Sequence, residues 1–293
     1  MNNSTILLTG ATGFLGSKIL EKLLNNNYKV IIFKRSKSNT FRIDHFIKSI
    51  KSYDVDIESH DKAFKEQHID YVIHTACMYD QSPNHFQELT KSNLGFGLEI
   101  LDSCLKYKVK GFLNSDTFLQ KNLNAYTLSK KQFVEWLKFK SDEIQVVNMK
   151  IELMYGPKDD SNKFIPWVIS QLNRNVKKIS LTTGVQKRDF IYVEDVVTAY
   201  ITILNKLNEL PRFSEFEVGL GQSINVKEFL ELLKRVYISK YGDTNTKFAY
   251  GEVAYRTDEN MEVKVNNKSL INLGWKPKIN LLQGLEKVLE EKI

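Results

Sequence analysis

The sequence predicts an α/β protein whose larger part is a doubly wound parallel sheet. Short apolar runs alternate six times with stretches of helical periodicity across roughly the first half of the chain, the order that a parallel sheet with crossover helices requires. The first alternation carries glycines at intervals of three, and no stretch of about 18 apolar residues exists that would suit a membrane span. With 293 residues the chain can bury a full core, as one large domain or two smaller ones.

Ile6-Leu7-Leu8 reads as a buried strand and Thr9-Gly10-Ala11-Thr12-Gly13-Phe14-Leu15-Gly16 as a glycine-spaced turn. Leu15, Ile19, Leu20, Leu23 and Leu24 then form the apolar face of a helix that Asn25-Asn26-Asn27 stops. Glycine lets the backbone turn sharply, approach a pyrophosphate or pack a helix close to a strand, and the helix N-terminus offers unpaired N–H groups and a positive dipole end. The same pattern arises in βα turns that hold no ligand. A strand before it, a helix after it and its place at the N-terminus point to a dinucleotide, hence to a Rossmann-type arrangement. The spacing is Gly-x-x-Gly-x-x-Gly rather than Gly-x-Gly-x-x-Gly.

A second strand, Tyr28 to Phe33, ends in Lys34-Arg35-Ser36-Lys37-Ser38. An NAD site commonly places an acid here for the ribose 2′-hydroxyl, whereas a basic residue suits the 2′-phosphate of NADP. No acid follows until Asp44, so Lys34, Arg35 and Ser36 fit NADP, with NAD as the lesser choice, although basic runs also occur as solvated loops. Residues 41–51 read as loop and helix, and Tyr53-Asp54-Val55-Asp56 as a short third strand whose Asp54 and Val55 contact adenine or simply make a strand-end turn. Asp70 to Ala76 is the fourth strand, with His74 a hydrogen-bonded structural residue. A helix follows over Leu89 to Tyr107, then a strand at Gly111 to Ser115, a helix at Tyr126 to Lys140 and a strand at Val146 to Lys150.

The texture changes after Tyr155-Gly156-Pro157, where short helices, isolated strands and charged loops begin. Residues 1–155 are therefore expected to form a dinucleotide-binding domain, and 156–185 with 207–293 a smaller mixed α/β C-terminal lobe closed by an amphipathic helix over 281–293. The run Arg188 to Val197 is apolar enough to rejoin the main sheet, so 186–206 is expected to return to the first domain.

Forty-two Lys and Arg against 35 Asp and Glu give a net charge of +7, spread without an aromatic-interleaved basic cluster; this suits polyanionic small molecules better than nucleic acid. Met1-Asn2-Asn3-Ser4 leads straight into the first strand and leaves no room for a signal peptide, so a cytoplasmic protein is expected. Cys77 and Cys104 lie in apolar surroundings without metal-ligand spacing and are expected to be buried and inert, with no metal site.

Tyr126-Thr127-Leu128-Ser129-Lys130 sets a phenol and an ammonium four residues apart on one helix face. An ammonium beside a phenol favours the phenolate, so a lowered tyrosine pKa and acid–base use near neutral pH are expected. Tyr-x-x-x-Lys alone is common on exposed helices; downstream of the glycine turn it gains meaning.

TGATGFLG, Asn93 in a mid-chain helix, Thr117, YTLSK, MYGP and RDFIYVEDV together resemble the extended short-chain dehydrogenases/reductases of the nucleotide-sugar epimerase/dehydratase type over essentially the whole chain. That resemblance implies Tyr126 as general acid or base, Lys130 on the nicotinamide ribose, Thr117 bonded to the same carbonyl and Asn93 supporting the lysine. It implies cofactor contacts from Gly10, Thr12, Gly13, Phe14, Leu15, Gly16, Thr75 and Ala76 beside the strand-end residues already named. Arg188 and Arg256 match positions that bind the substrate diphosphate in relatives, and Lys163 is expected near the same phosphates; the plainer reading of the arginines is an ion pair with Asp189 or Asp258. Leu273-Gly274-Trp275-Lys276-Pro277 resembles the family's structural tail, and relatives often dimerise through the helices holding Asn93 and Tyr126, which implies a homodimer.

Sugar-nucleotide 4,6-dehydratases of this family follow the threonine with an acidic pair, where this chain has Phe118 and Leu119, so water loss lacks its acid and base. Asp116 precedes the threonine and faces the other side of an extended segment. The short loop from Thr117 to Tyr126 and the segment Met149 to Pro157 resemble most the branch of CDP-abequose synthase-like NDP-4-keto-6-deoxyhexose 4-reductases. NADPH-dependent reduction at C4 of a dTDP- or CDP-linked 4-keto-6-deoxyhexose, in the synthesis of deoxysugars for O-antigen-type surface polysaccharide, is the expected function. The alternatives are an epimerase with tightly bound NAD and a non-enzymatic NADP-binding sensor or scaffold on the same fold.

Overall fold

Every residue of the first strand, β1 (Thr5–Thr9), is buried, as a strand of a doubly covered parallel sheet must be. The computed structural model describes residues 4–79, 85–257 and 259–290. After β1 come α1 (Phe14–Asn25), β2 (Lys29–Lys34), β3 (Lys51–Asp54), α2 (His60–Glu66), β4 (Tyr71–His74) and α3 (Phe86–Thr90). A π turn (Lys91–Gly95) leads into α4 (Phe96–Lys106), β5 (Gly111–Thr117), α5 (Ala125–Phe139) and β6 (Gln145–Ile151). There follow β7 (Leu153–Tyr155), α6 (Phe164–Asn173), β8 (Lys178–Leu181), β9 (Lys187–Arg188), β10 (Phe190–Tyr192) and α7 (Val193–Lys206). The chain ends with β11 (Phe213–Val218), β12 (Ile224–Asn225), α8 (Val226–Tyr241), β13 (Lys247–Tyr250), α9 (Lys268–Asn272) and α10 (Leu281–Glu290).

Two units result, Met1–Ile151 with Val197–Glu217 and Glu152–Val196 with Val218–Ile293. In the first, seven strands lie in the order β11-β6-β5-β4-β1-β2-β3. The pairs from β3 across to β6 are all parallel. Strands β2 and β3 extend to one side of β1 and β4 to β6 to the other, so the strand order reverses between β1 and β4. At such a switch point the connections leave in opposite directions and open a crevice at the carboxyl ends of the strands.

Three expectations need correction. Residues 41–49 form successive turns rather than a helix. The run expected to rejoin the sheet at Arg188 does not: β10 pairs with β7 and β9 with β12 in small sheets of the second unit, and the chain re-enters the first unit at Val197, within α7. Residues 213–218, expected in the C-terminal lobe, instead form the seventh strand, β11, of the main sheet; it closes the sheet edge, and Val146 N–H donates to the Arg212 carbonyl at 2.7 Å. The closing helix is observed to Glu290, and residues 291–293 lie outside the described residues.

The first unit's core joins Ile100, Leu101 and Cys104 of α4 to Phe112 of β5 and Phe133 and Leu137 of α5. Gly97 is there for space, since a Cβ would come within 2.7 Å of the Phe133 ring. His74 sits in this aromatic layer, with ring centroids 5.8, 5.7 and 5.4 Å from Phe96, Phe112 and Phe133. Its Nδ1 meets Thr9 Oγ1 at 2.9 Å, which ties β4 to β1. Burial, with a smaller push from the Lys130 ammonium, lowers its pKa from 6.5 to about 3. Of the cysteines, Cys104 is buried, and burial pushes its thiol up; Cys77 is exposed, contrary to expectation, because it lies beyond the end of β4.

The second unit has its own core, in which Tyr155, Phe190, Tyr192, Phe229 and Leu285 meet, the rings of Phe190 and Phe229 stacking at 3.7 Å. Trp275 of the tail is structural: it is buried and donates Nε1–H to the Asp195 carbonyl at 3.1 Å. Asp195 in turn accepts the N–H groups of Lys278 and Ile279, both at 2.9 Å.

Phe133→Ala should cost about 3–5 kcal/mol, the usual penalty for emptying an aromatic core site, and a urea titration showing less than about 1 kcal/mol would remove Phe133 from the core. His74 gives a pH signature with a definite sign. Its folded pKa is depressed, so its stabilising contribution is complete above pH 6.5 and is lost as the pH falls toward about 3. The limiting slope is about 1.4 kcal/mol per pH unit. His74→Asn should therefore flatten the fall in urea midpoint between neutral pH and pH 5; parallel curves for variant and wild type would show that His74 is not held neutral.

Candidate active site

At the carboxyl end of β1 the chain turns through Gly10, whose φ of 72° lies in the left-handed region. A Cβ there would meet Ala76 N and Thr75 Oγ1 at 2.6 Å, and one on Gly16 would come within 2.1 Å of the Gly10 carbonyl oxygen. Gly13 caps α1 and donates its N–H to Gly10 at 2.9 Å. No side chain caps this helix and no acid lies in its first turn, so no side chain competes with an anion for its N–H groups and dipole. Phe14 and Leu15 are buried beneath the turn, and the Thr12 carbonyl accepts from Arg42 Nη1 at 3.4 Å. Thr75 Oγ1 donates to the Thr9 carbonyl at 2.8 Å and Ala76 N–H to Thr9 Oγ1 at 3.3 Å, so the β4 end is fixed against this turn. The cradle fits a dinucleotide pyrophosphate: its backbone approach depends on two missing side chains.

The basic end of β2 is not free of acids, as the sequence implied. Parallel pairing with β3 sets Lys34 beside Asp54, and the two form an ion pair. Asp56 accepts the Ser36 N–H and hydroxyl, both at 2.7 Å, and these bonds, with Arg35 nearby, hold its carboxyl below the usual range. Val55 N–H donates to the Lys34 carbonyl at 2.9 Å. Lys34, Arg35 and Ser36 thus lie beside two carboxylates that local sequence spacing hid.

Helix α5 opens with a capping box in which Asn124 and Thr127 satisfy each other's backbone N–H groups. Tyr126 and Lys130 follow one turn apart, both buried. The Tyr126 ring meets Tyr79 edge-on at 4.9 Å. Burial raises the Tyr126 phenol well above its ordinary value, reinforced by Cys77, Asp116 and Tyr79, which reverses the lowering expected from the adjacent ammonium. Desolvation outweighs a single nearby charge at this site.

Asn93 lies in the π turn, where it accepts Met78 N–H at 2.7 Å and donates to the Met78 carbonyl at 3.0 Å and to Ser129 Oγ at 3.2 Å. Ser129 Oγ donates onward to the Tyr126 carbonyl at 2.8 Å. Asn93 therefore fixes the segment after β4 to α5 through Ser129, a residue the sequence reading passed over. Thr117 ends β5, and its Oγ1 accepts Leu119 N–H at 3.2 Å. Asp116 is turned into the structure, onto Lys131 and Asn148, and Phe118 lies under Lys150.

In the second unit Arg188 donates to the carbonyls of Lys187 and Asn260 at 2.7 and 2.6 Å and pairs with Glu259. Its ion partner is thus Glu259 and not Asp189, which is buried and accepts the N–H groups of Leu220, Gly221 and Gln222 at 2.7, 2.7 and 3.1 Å. Glu152 is pushed up to about 8 by burial, with Arg188 pulling it down and Asp189 pushing it up. Arg256 is exposed and its carbonyl accepts Glu259 N–H at 3.1 Å; Asp258 lies outside the described residues. Lys163 caps α6. Among the described residues no cluster of His, Cys, Asp and Glu could hold a metal, and no helix is long and apolar enough to cross a membrane.

Residues 6–219 match the profile of the NAD dependent epimerase/dehydratase family. The chain is 32% identical over 295 residues to CDP-abequose synthase of Salmonella typhimurium strain LT2, covering 97% of each protein. It is also 32% identical over 299 residues to CDP-abequose synthase of Salmonella muenchen, covering 99% of this chain and 98% of that one. In fold it is similar to UDP-glucose 4-epimerase of Thermotoga maritima, solved with UDP-glucose, with a TM-score of 0.83 at 23% identity over 98% of this chain and 97% of that one. The dinucleotide cradle, the Tyr126–Lys130 helix and these full-length matches lead to one conclusion: the chain belongs to the NAD-dependent epimerase/dehydratase family and is an NAD(P)-dependent enzyme of the short-chain dehydrogenase/reductase type.

Proposed function

We propose that this enzyme reduces the C4 keto group of a CDP- or dTDP-linked 4-keto-6-deoxyhexose with NADPH, in deoxysugar synthesis for O-antigen-type polysaccharide. The observation that carries the reading is the chemistry beside Thr117. Phe118 and Leu119 follow it, and Asp116 is occupied by Lys131 and Asn148, so no acid–base pair is available for water loss. A ketone reduction needs one proton donor, one group to polarise the carbonyl and a hydride. The two full-length CDP-abequose synthase relatives support the same substrate class.

In this reading the nicotinamide cofactor, when bound, supplies the hydride. Gly10, Gly13 and Gly16 admit its pyrophosphate to the α1 N-terminus, and Lys130 holds the nicotinamide ribose. Tyr126 donates the proton to the nascent alkoxide; its raised pKa keeps it protonated across the neutral range, as a donor requires. Thr117, whose oxygen already accepts Leu119 N–H, keeps its hydroxyl proton for the substrate oxygen. Arg188, Arg256 and Lys163 serve the diphosphate, Arg188 by exchanging Glu259 for it. Arg35 and Ser36 favour NADPH, while Asp54 and Asp56 lessen the margin over NADH.

A second reading, an epimerase that retains NAD, is favoured by those two acids at the ribose end, since they reduce the positive charge that a 2′-phosphate needs. We also infer a homodimer through α4 and α5. Trp136 and Phe139 are exposed on α5, and Trp136 lines a groove with Leu98, Leu101 and Leu105 of α4.

Absorbance with dTDP-, CDP- and GDP-4-keto-6-deoxyhexoses should show NADPH oxidised faster than NADH with one nucleotide, and Tyr126→Phe should lose roughly a hundredfold or more in kcat. Sugar rearrangement without net oxidation, by protein carrying stoichiometric NAD, would establish the epimerase. Light scattering should give twice the chain mass, and Trp136→Glu with Phe139→Glu should give monomers; a monomeric wild type would refute the interface.

A further inference from the structure

We propose that Asp116 and Lys131 form a positioning pair that holds Thr117 in a fixed relation to Tyr126, so that both hydroxyls address one substrate oxygen. The proposal rests on the reading of Tyr126 and Thr117 given above. It adds two residues that touch neither substrate nor cofactor.

The pair encloses the last residue of β5. Thr117 N–H donates to Asp116 Oδ1 at 2.8 Å, and Lys131 Nζ donates to the Thr117 carbonyl at 2.5 Å. Lys131 Nζ also donates to Asp116 Oδ2 at 2.6 Å. Both backbone groups of Thr117 are therefore held by one ion pair, and the Asp116 and Lys131 side chains are only 1% and 16% exposed. Lys131 directly follows Lys130 on α5, so a single ammonium ties the helix that carries the phenol to the strand that carries the hydroxyl. The pair is anchored in the sheet as well: Asn148 Nδ2 donates to Asp116 Oδ2 at 3.2 Å, and Asn114 Nδ2 donates to Asn148 Oδ1 at 2.8 Å.

Burying two opposite charges is seldom a route to stability, because desolvation offsets most of the attraction; fixing one geometry is its better-attested use. Here the geometry fixed is that of a reacting group. A strand end held by a long neutral side chain would drift by fractions of an ångström, which is enough to misalign a hydrogen bond in a transition state.

The charges around Tyr126 make the proposal testable by direction. Cys77 and Tyr79 face it from the segment after β4, Asp116 from β5, and Lys130 lies one turn on along α5. Tyr200 of α7 lies in the field of Asp116 and Cys77, and His74 faces Lys130. The Asp116 carboxylate disfavours the phenolate. Neutralising it in Asp116→Asn should move the alkaline limb of kcat/KM to lower pH, since a proton donor must be protonated to act. Lys131→Met leaves Asp116 unbalanced and should move that limb to higher pH.

Steady-state kinetics from about pH 6 to as far into the alkaline range as the fold persists, since the raised phenol sets the alkaline limb above the ordinary tyrosine range, form the experiment, with cofactor titration calorimetry and thermal unfolding in parallel. Lys131→Met should lower kcat by about tenfold or more while cofactor affinity stays within about twofold, and Lys131→Arg, whose guanidinium can span both acceptors, should restore most of the loss. Wild-type kcat in Lys131→Met would overturn the proposal. So would a lower melting temperature with the alkaline limbs of both variants unmoved, which marks a purely structural pair. Carbon-13 NMR of the Tyr126 Cζ in the cofactor complex reads the same opposite displacements without turnover, so the assignment of the reaction can fail while the pair stands or falls by itself.

Discussion

The first unit depends on a contact between two backbones at the end of β1. Gly16 packs so closely on the Gly10 carbonyl that a Cβ would lie 2.1 Å from the oxygen, and a Cβ on Gly10 would lie 2.6 Å from Thr75 Oγ1 and Ala76 N. That approach sets the angle at which α1 leaves the sheet and brings the end of β4 against the same turn. Because β1 is hydrogen-bonded to both β2 and β4, holding its end also holds the point where strand order reverses. The N-terminus of α1 opens at the same turn: its cap position is Gly13, which has no side chain to bond the first N–H groups, and these are left for an anionic ligand.

Helix α5 divides its buried stripe between stability and chemistry. Tyr126, Lys130, Phe133 and Leu137 recur at helical spacing on one face. The last two fill the aromatic core beside Phe112, while the first two carry a phenol and an ammonium into surroundings that a plain core helix would fill with leucine. The apolar half anchors the helix so that the polar half can stay desolvated. Desolvation then sets the protonation state: Tyr126 stays a phenol, and His74, one layer deeper, stays neutral.

What was legible in the sequence is what repeats locally. Glycine spacing, the apolar runs of the parallel strands and the four-residue step from Tyr126 to Lys130 are properties of short windows, and they yield the sheet, the cradle and the helix that buries a phenol beside an ammonium. Pairings between distant segments were not legible. Asp54 reaches Lys34 only because β3 lies parallel to β2, and Glu259 reaches Arg188 across 71 positions. Lys131 could have been noticed, since a second lysine directly after Lys130 departs from an apolar–polar period, but its partner Asp116 lies on another element. Cys77 misled because its neighbours are apolar while its own place, beyond a strand end, is open.

The ion pair at Arg188 shows how such a hidden partner alters the physics of binding. A guanidinium waiting alone for a diphosphate would have to give up its water when the ligand arrives; Arg188 has already exchanged it for two carbonyls and a carboxylate. Under the proposed function, ligand binding there is the replacement of one anion by another on a side chain already aimed. The side-chain ordering that normally opposes association has been met during folding. Such an exchange also selects by charge. A neutral sugar offers the guanidinium less than Glu259 does and gains nothing by displacing it. A diphosphate, with more charge and geometry suited to a planar fork, does better than the carboxylate it displaces.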